Sequence, residues 1–218
     1  MRIKETIQSF NIKAKNSSLA KDSIWSVCGN AISLAMLLIS GVIIARVIGK
    51  DIYGQYGTIK SLMTSFASLA AFGLGYSSTK MVSNPITGSK GLYAKMLKMV
   101  SVVSCFIWII MSLISRPLAD LMDKPELHIY FVYIGFLMFL KAIWTVLGGT
   151  LAGYKLFKQI SISNIISSIL MVISVYPLTV NFGFIGAVIS LFLYHISNIL
   201  FCYLFLYSKE KTIIERDN

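Results

Sequence analysis

The composition of this 218-residue chain assigns it to the membrane. Its residues are 56% hydrophobic and only 13% charged, a balance that excludes an ordinary soluble domain. The net charge of +11 would suit nucleic-acid binding, but a run of 50 residues from Gln159 to Ser208 holds no Asp, Glu, Lys or Arg. A helix needs about 20 apolar residues to cross the hydrocarbon layer, so this run alone predicts two membrane spans.

The first 22 residues form a polar, basic tail. Ile3, Ile7, Phe10 and Ala14 recur in it at helical spacing, which is typical of an amphipathic helix on an anionic membrane surface, although a solvated tail has the same composition. The apolar segment behind the tail is 23 residues long and lacks a small-residue cleavage site. Both features argue against a signal peptide.

Six apolar segments follow the tail, and each is long enough to be a transmembrane helix. Pro177, Asn181, Gly183 and Gly186 mark a turn between the last two. The chain is therefore predicted to be an all-α integral membrane protein with six transmembrane helices. The approximate bounds of these helices are 24–48, 53–82, 93–115, 129–152, 160–180 and 184–207.

The positive charges are distributed unevenly between the two predicted sides of the membrane. The N-terminal tail and the loops after spans 2, 4 and 6 hold 14 Lys and Arg residues, whereas the opposite side holds 4: Arg46, Lys50, Arg116 and Lys124. This bias predicts that both termini are cytoplasmic, and it explains the basic charge without nucleic acid as a partner. The predicted domains are a cytoplasmic tail at 1–22, a six-helix lobe at 23–208 and a cytoplasmic polar tail at 209–218.

The sequence predicts no catalytic residue, no metal site and no cofactor. All nine acidic residues lie outside the predicted spans, which argues against a prenyltransferase with acid-bound magnesium and against an intramembrane protease. Cys28, Cys105 and Cys202 lie in three different spans without a CxxC pair, and no phosphate-binding loop motif is present. These absences together predict that the chain is not an enzyme.

Two histidines are candidates for special roles. His128 is predicted to lie at a loop edge. His195 lies inside a predicted span, where an ionisable side chain is a functional candidate by default. For His195 we predict a neutral imidazole that is hydrogen-bonded to a neighbouring helix.

Small polar residues form stripes on two of the predicted spans. Lys60, Thr64 and Ser68 follow one another at i, i+4 and i+8 in span 2. Span 5 repeats the pattern with Ser161, Asn164 and Ser168. Such stripes serve close helix packing or line a wet cavity inside a helix bundle, and the residues alone leave both interpretations open.

Lys141 is the charge placed deepest in the predicted bundle. Fourteen uncharged residues precede it and thirteen follow it, so it lies about 20 Å from either end of its helix. A lysine side chain cannot snorkel that far, so Lys141 should face protein or water rather than lipid. Lys60 lies only about two turns from a helix end and is able to snorkel, and Arg46 is predicted to be an interfacial anchor.

Four short motifs stand out in the chain. They are residues 45–56 (ARVIGKDIYGQY), 72–75 (FGLG), 149–157 (GTLAGYKLF) and 183–187 (GFIGA). In this order they resemble motifs of the bacterial polysaccharide flippases, a family of the multidrug, oligosaccharidyl-lipid and polysaccharide exporter superfamily. The first is similar to the family's A-R-x-L-G-x-x-x-Y-G signature, with Ile48 in place of Leu, and the similarity covers about residues 20 to 208.

The resemblance implies one lobe of a two-lobe, V-shaped transporter that alternates between inward-open and outward-open states. It implies transport of an undecaprenyl-diphosphate-linked oligosaccharide across the bacterial inner membrane during polysaccharide biosynthesis, for lipopolysaccharide, capsule or another part of the cell envelope. Family members usually have twelve to fourteen spans, so the chain resembles the N-terminal lobe alone. The expected partners are the lipid-linked oligosaccharide, membrane lipids, and a second lobe or a second copy of the chain.

On this interpretation the substrate is held by charge and hydrogen bonds, without chemistry on it. Two other functions remain open: a lobe of a multidrug-type antiporter, and a membrane fragment with a structural role or none. Intramembrane acids, which such antiporters commonly use for coupling, are absent from the six spans. The predicted substrate-binding residues are Lys141, Lys60, Arg46, Thr64, Ser68 and Asn164.

Overall fold

A computed structural model describes residues 18–83, 92–121 and 128–217. Within these ranges all regular secondary structure is helical. We number the helices α1 to α6 in chain order. Their bounds are α1 Ser18–Ile48, α2 Lys50–Ala71, α3 Leu74–Ser83, α4 Leu92–Leu121, α5 His128–Gly153 and α6 Phe157–Asp217.

Four stretches of these helices are long and apolar enough to cross a membrane. They are Ile24–Ile48, Ala94–Pro117, Val132–Gly153 and Phe157–Lys209. Helices suit this environment because they satisfy every backbone polar group internally, where no water is available. The prediction of an all-α, multi-pass membrane protein is confirmed in the described part of the chain. The count of six crossings remains a prediction.

α6 is a hairpin of two helical halves. Gly183 interrupts it with φ 55° and ψ −130°, a conformation that a residue with a Cβ rarely adopts. Beyond this point the chain turns back, since the Ser163 hydroxyl of the first half bonds to Asn198 of the second. The 53 residues of its apolar stretch are enough for two crossings, as the predicted turn near Gly183 requires.

The second predicted span is not one continuous helix, which corrects the sequence interpretation. α2 ends at Ala71 and α3 begins at Leu74. Phe72 and Gly73 lie between them with φ of 27° and 73°, outside the helical range. Neither α2 nor α3 is among the four long apolar helices. The segment is not one apolar helix for two reasons: α2 carries polar residues along one face, and the FGLG motif at 72–75 breaks the helix directly after Ala71.

α5 is the central helix, and it packs against α2, α3, α4 and α6. Its contact with α3 depends on glycines, because a Cβ on Gly149 would collide with the backbone of Gly75. The Thr79 hydroxyl of α3 donates to the Gly149 carbonyl at 2.8 Å. Small residues that let two backbones approach are typical of helix packing in membranes. Two of the motifs noted in the sequence therefore contact each other across this interface.

The structure describes most of the predicted C-terminal tail but only the end of the predicted N-terminal one. The proposed amphipathic helix with Ile3, Ile7, Phe10 and Ala14 lies outside the described residues. α1 already begins at Ser18, within the segment assigned to the tail, and α6 continues as a helix to Asp217. His128 is the first residue of α5, as a loop-edge position requires.

Candidate ligand site

Lys60 and Lys141 line the same cavity, although 80 residues separate them in the chain. The cavity has a volume of about 180 Å³ and is formed by side chains of α1, α2, α5 and α6. No acidic side chain is among its described lining residues, so the positive charge is not neutralised by a carboxylate there. The lining residues are Leu37, Lys60, Met63, Thr64, Lys141, Trp144, Leu191, Tyr194 and His195.

Thr64 connects the two lysines. The Lys141 ammonium donates a hydrogen bond to the Thr64 hydroxyl at 2.9 Å. That hydroxyl in turn donates to the Lys60 carbonyl at 2.9 Å, one turn earlier on α2. Thr64 thus uses its single proton on its own helix and a lone pair on the lysine of α5. The prediction that Lys141 faces protein or water rather than lipid agrees with this contact.

A second cavity adjoins the first one at Lys60. It has a volume of about 330 Å³ and shares both Lys60 and Leu37 with the smaller cavity. Most of its lining is apolar and comes from α1, including Leu34, Leu38 and Val42. Lys60 therefore lies where an apolar groove meets a cationic cavity, a junction suited to an amphiphile with an anionic head.

The polar face of α2 is open at the surface of the helix bundle. Lys60, Thr64 and Ser68 are all exposed, and so are Ser61 and Ser65 beside them. Polar side chains within the hydrocarbon layer face water or protein, because contact with lipid tails leaves them unsatisfied. The face of α2 that carries this stripe, which we call the α2 polar stripe, is thus unsuited to lipid.

Two predicted site residues lie elsewhere. Arg46 is exposed in the last turn of α1 and lines neither cavity. Asn164 is buried, 7% exposed, between α1 and the second half of α6. The Ser33 hydroxyl donates to the Asn164 carbonyl, and the Asn198 amide donates to the Asn164 side-chain oxygen at 3.0 Å. The fold does not bring either residue to the lysines.

Asn198 organises the buried polar network to which Asn164 belongs. Its side-chain oxygen accepts from the Trp144 indole at 2.9 Å and from the Ser163 hydroxyl at 2.7 Å. The network therefore joins α5 to both halves of α6. Of the two interpretations of the Ser and Asn stripe in span 5, these contacts favour helix packing.

His195 was predicted to bond to a neighbouring helix, and this prediction is wrong. The residue is 5% exposed, yet neither ring nitrogen has a hydrogen-bond partner among the described residues. Its ring instead contacts the Tyr194 ring edge-on, with centroids 5.0 Å apart, and it lines the cavity of the two lysines. Its position inside a span is the only sequence signal that pointed to it.

The comparisons with known proteins give one result. Residues 19–217 match the model of a family described as polysaccharide biosynthesis protein. No curated protein and no solved structure matches the chain significantly.

Proposed function

Because this chain belongs to the polysaccharide biosynthesis protein family, we propose that its helices form one lobe of a flippase for a lipid-linked oligosaccharide. The substrate would be an undecaprenyl-diphosphate-linked glycan, moved across the bacterial inner membrane. Transport needs no bond to be made or broken, so the lobe only has to bind the substrate, shield it and release it.

One observation carries the proposal: two lysines from different helices share a cavity within the helix bundle that has no acid in its described lining. An ammonium without a carboxylate is costly at the depth of the hydrocarbon layer, roughly 2.5 to 3.5 kcal/mol on insertion scales. An anionic ligand offsets that cost while it is bound. The diphosphate of the lipid carrier supplies this negative charge, and the adjoining apolar groove suits part of its hydrocarbon chain.

The α2 polar stripe supports a second lobe as the partner. If six spans are present, a following lobe re-enters the membrane in the same orientation, as in transporters built from parallel repeats. Such a lobe, in this polypeptide, another chain or a second copy, would enclose a wet cavity against the stripe. The Ser and Thr hydroxyls of the stripe would then face the sugars of the substrate, which are themselves rich in hydrogen-bonding groups.

The test removes the charge of Lys141. In a strain whose surface glycan depends on this protein, Lys141→Ala should abolish glycan export while the amount of protein in the membrane stays nearly unchanged. Lys141→Arg should retain part of the export, because the charge is kept while the geometry changes. Lys80→Ala, which removes an exposed lysine at the end of α3, is the matched control and should export normally.

Two readouts separate binding from structure. Export is divided by the amount of membrane-inserted protein, measured on the same cells. If Lys141 only supports folding, Lys141→Ala lowers total export and the amount of membrane-inserted protein in the same proportion. Normal export per molecule from Lys141→Ala would contradict the proposed site.

A further inference from the structure

His195 is a buried polar side chain in the lining of the cavity that holds the two lysines. It is 5% exposed, and both Nδ1 and Nε2 lack a partner among the described residues. A neutral imidazole has one donor and one acceptor, and leaving both unused in a buried place is unfavourable. Folding stability therefore does not explain why a histidine rather than an apolar residue lies here.

The surroundings of His195 indicate what it binds. It lines the cavity with Lys60 and Lys141, and other polar groups in that lining are already engaged. The Thr64 hydroxyl bonds to both lysine residues, and the Trp144 indole donates to Asn198. The imidazole still has an N–H to donate, although both ring nitrogens have less than 1 Å² of accessible surface, so the ring must turn toward the cavity to reach a ligand. An anion drawn in by the two ammonium groups would bring the acceptor oxygens that this N–H lacks.

The size of the cavity restricts which part of a substrate enters it. At about 180 Å³ it holds roughly six water molecules at about 30 Å³ each. That volume is far below that of an oligosaccharide. The cavity therefore admits one small group of a substrate, and its two lysines favour an anionic one.

We infer that His195 is a third ligand-binding residue and donates a hydrogen bond from its neutral imidazole to a phosphate oxygen held between Lys60 and Lys141. The inference rests on the proposed function, and it adds a residue and a role to that site. The lysines attract any anion by charge, whereas the imidazole donates in one direction. His195 thus fixes the position of the phosphate and discriminates against anions that place no oxygen at that point.

The experiment measures binding of farnesyl diphosphate to the purified full-length chain in lipid nanodiscs. His195→Phe removes the donor and should weaken binding by about tenfold or more, as expected for a lost hydrogen bond to a charged group. His195→Gln keeps a neutral N–H and should recover most of the affinity. His128→Phe changes a histidine outside the cavity lining and should bind as the unaltered protein does.

Thermal unfolding without ligand provides the readout that a structural role would not produce. Because His195→Phe removes an unpartnered polar group, its unfolding temperature should equal or exceed that of the unaltered protein. His195→Leu repeats the test with a smaller side chain, so a packing defect caused by the phenyl ring is recognised.

The outcomes distinguish this inference from the proposed function. If His195→Phe and His195→Leu bind farnesyl diphosphate with unchanged affinity while Lys141→Met loses binding, His195 is not a ligand residue and the proposed function stands. Unchanged affinity together with a lower unfolding temperature assigns His195 to folding and overturns the inference. If the unaltered protein binds farnesyl diphosphate no better than farnesol, the cationic site and this inference both fail.

Discussion

Thr64 shows how a single hydroxyl orients a membrane-embedded charge. Its hydroxyl donates its proton to the Lys60 carbonyl of α2, so the lone pair that accepts the hydrogen bond of Lys141 points away from α2. A lysine side chain has many rotamers, and this contact restricts those of Lys141. The cation is thereby held at the cavity before a ligand arrives.

We expect Thr64→Val to reduce glycan export about two- to tenfold, since one ordinary hydrogen bond is lost while both lysine charges remain. Thr64→Ser keeps the hydroxyl and should export nearly normally. The matched control is Thr58→Val, because Thr58 lies on the same helix and bonds in the same way to a carbonyl four residues earlier. Equal losses from Thr58→Val and Thr64→Val would show that the effect belongs to α2 and not to Lys141.

At the scale of helices, α2 differs from its neighbours. It lies beside α5 in the bundle but carries its polar residues on the exposed side, whereas its buried side chains include Ile59, Met63 and Ala67. An amphipathic helix of this kind separates a packed core from an aqueous space. This explains why α2 does not qualify as an apolar span although it lies in the same bundle.

A cysteine at Ser65 tests whether the α2 polar stripe is wet. In a background without the native cysteines, Ser65→Cys should react with a small charged thiol reagent, because thiolates form and react in water and not in lipid. Phe106→Cys is the control: Phe106 is 63% exposed in the middle of the apolar stretch of α4, and we expect its side chain to face lipid. Reaction at Phe106→Cys with protection at Ser65→Cys would contradict a wet α2 polar stripe.

The contact between α3 and α5 gives a second test at this scale. Gly149→Ala places a methyl group against the backbone of Gly75, and overpacking of this kind typically costs 1 to 3 kcal/mol. We therefore expect a lower unfolding temperature in detergent. Gly148→Ala is the control on the neighbouring residue, where a Cβ would meet nothing within 4 Å. Alanine also favours a helix over glycine, so Gly148→Ala should be neutral or slightly stabilising. A larger loss from Gly148→Ala than from Gly149→Ala would refute the close contact.

At the scale of the whole molecule, the charge bias of 14 to 4 between the predicted sides predicts an orientation with both termini in the cytoplasm. In a cysteine-free background, Asp51→Cys and Asn181→Cys should be labelled by an impermeant thiol reagent added outside intact cells. Lys155→Cys should be labelled only after the cells are permeabilised. All three positions are exposed, so access to the side chain does not limit the reaction. The opposite labelling pattern would place the termini outside the cytoplasm.

The sequence alone determined that this protein lies in a membrane, that it is helical, and which family it belongs to. Long apolar runs require a membrane, and a membrane requires helices whose backbone groups bond internally, so these conclusions depend on composition and not on packing. The position of Lys141 at the middle of its helix followed in the same way, because the length of the uncharged run on either side sets its distance from the helix ends. The motifs at 72–75 and 149–157 were visible in the chain before their contact was known.

Only the tertiary structure decided which polar residues meet. Thr64 and Asn164 belong to stripes that look alike in the sequence, yet one contacts Lys141 at a cavity and the other is buried against Asn198. Helical periodicity defines the faces of each helix, but the rotation of one helix against another depends on packing, here on close approaches such as that of Gly75 and Gly149. For the same reason the unpartnered imidazole of His195 could not be foreseen, since a missing hydrogen bond is a property of all the surrounding helices together.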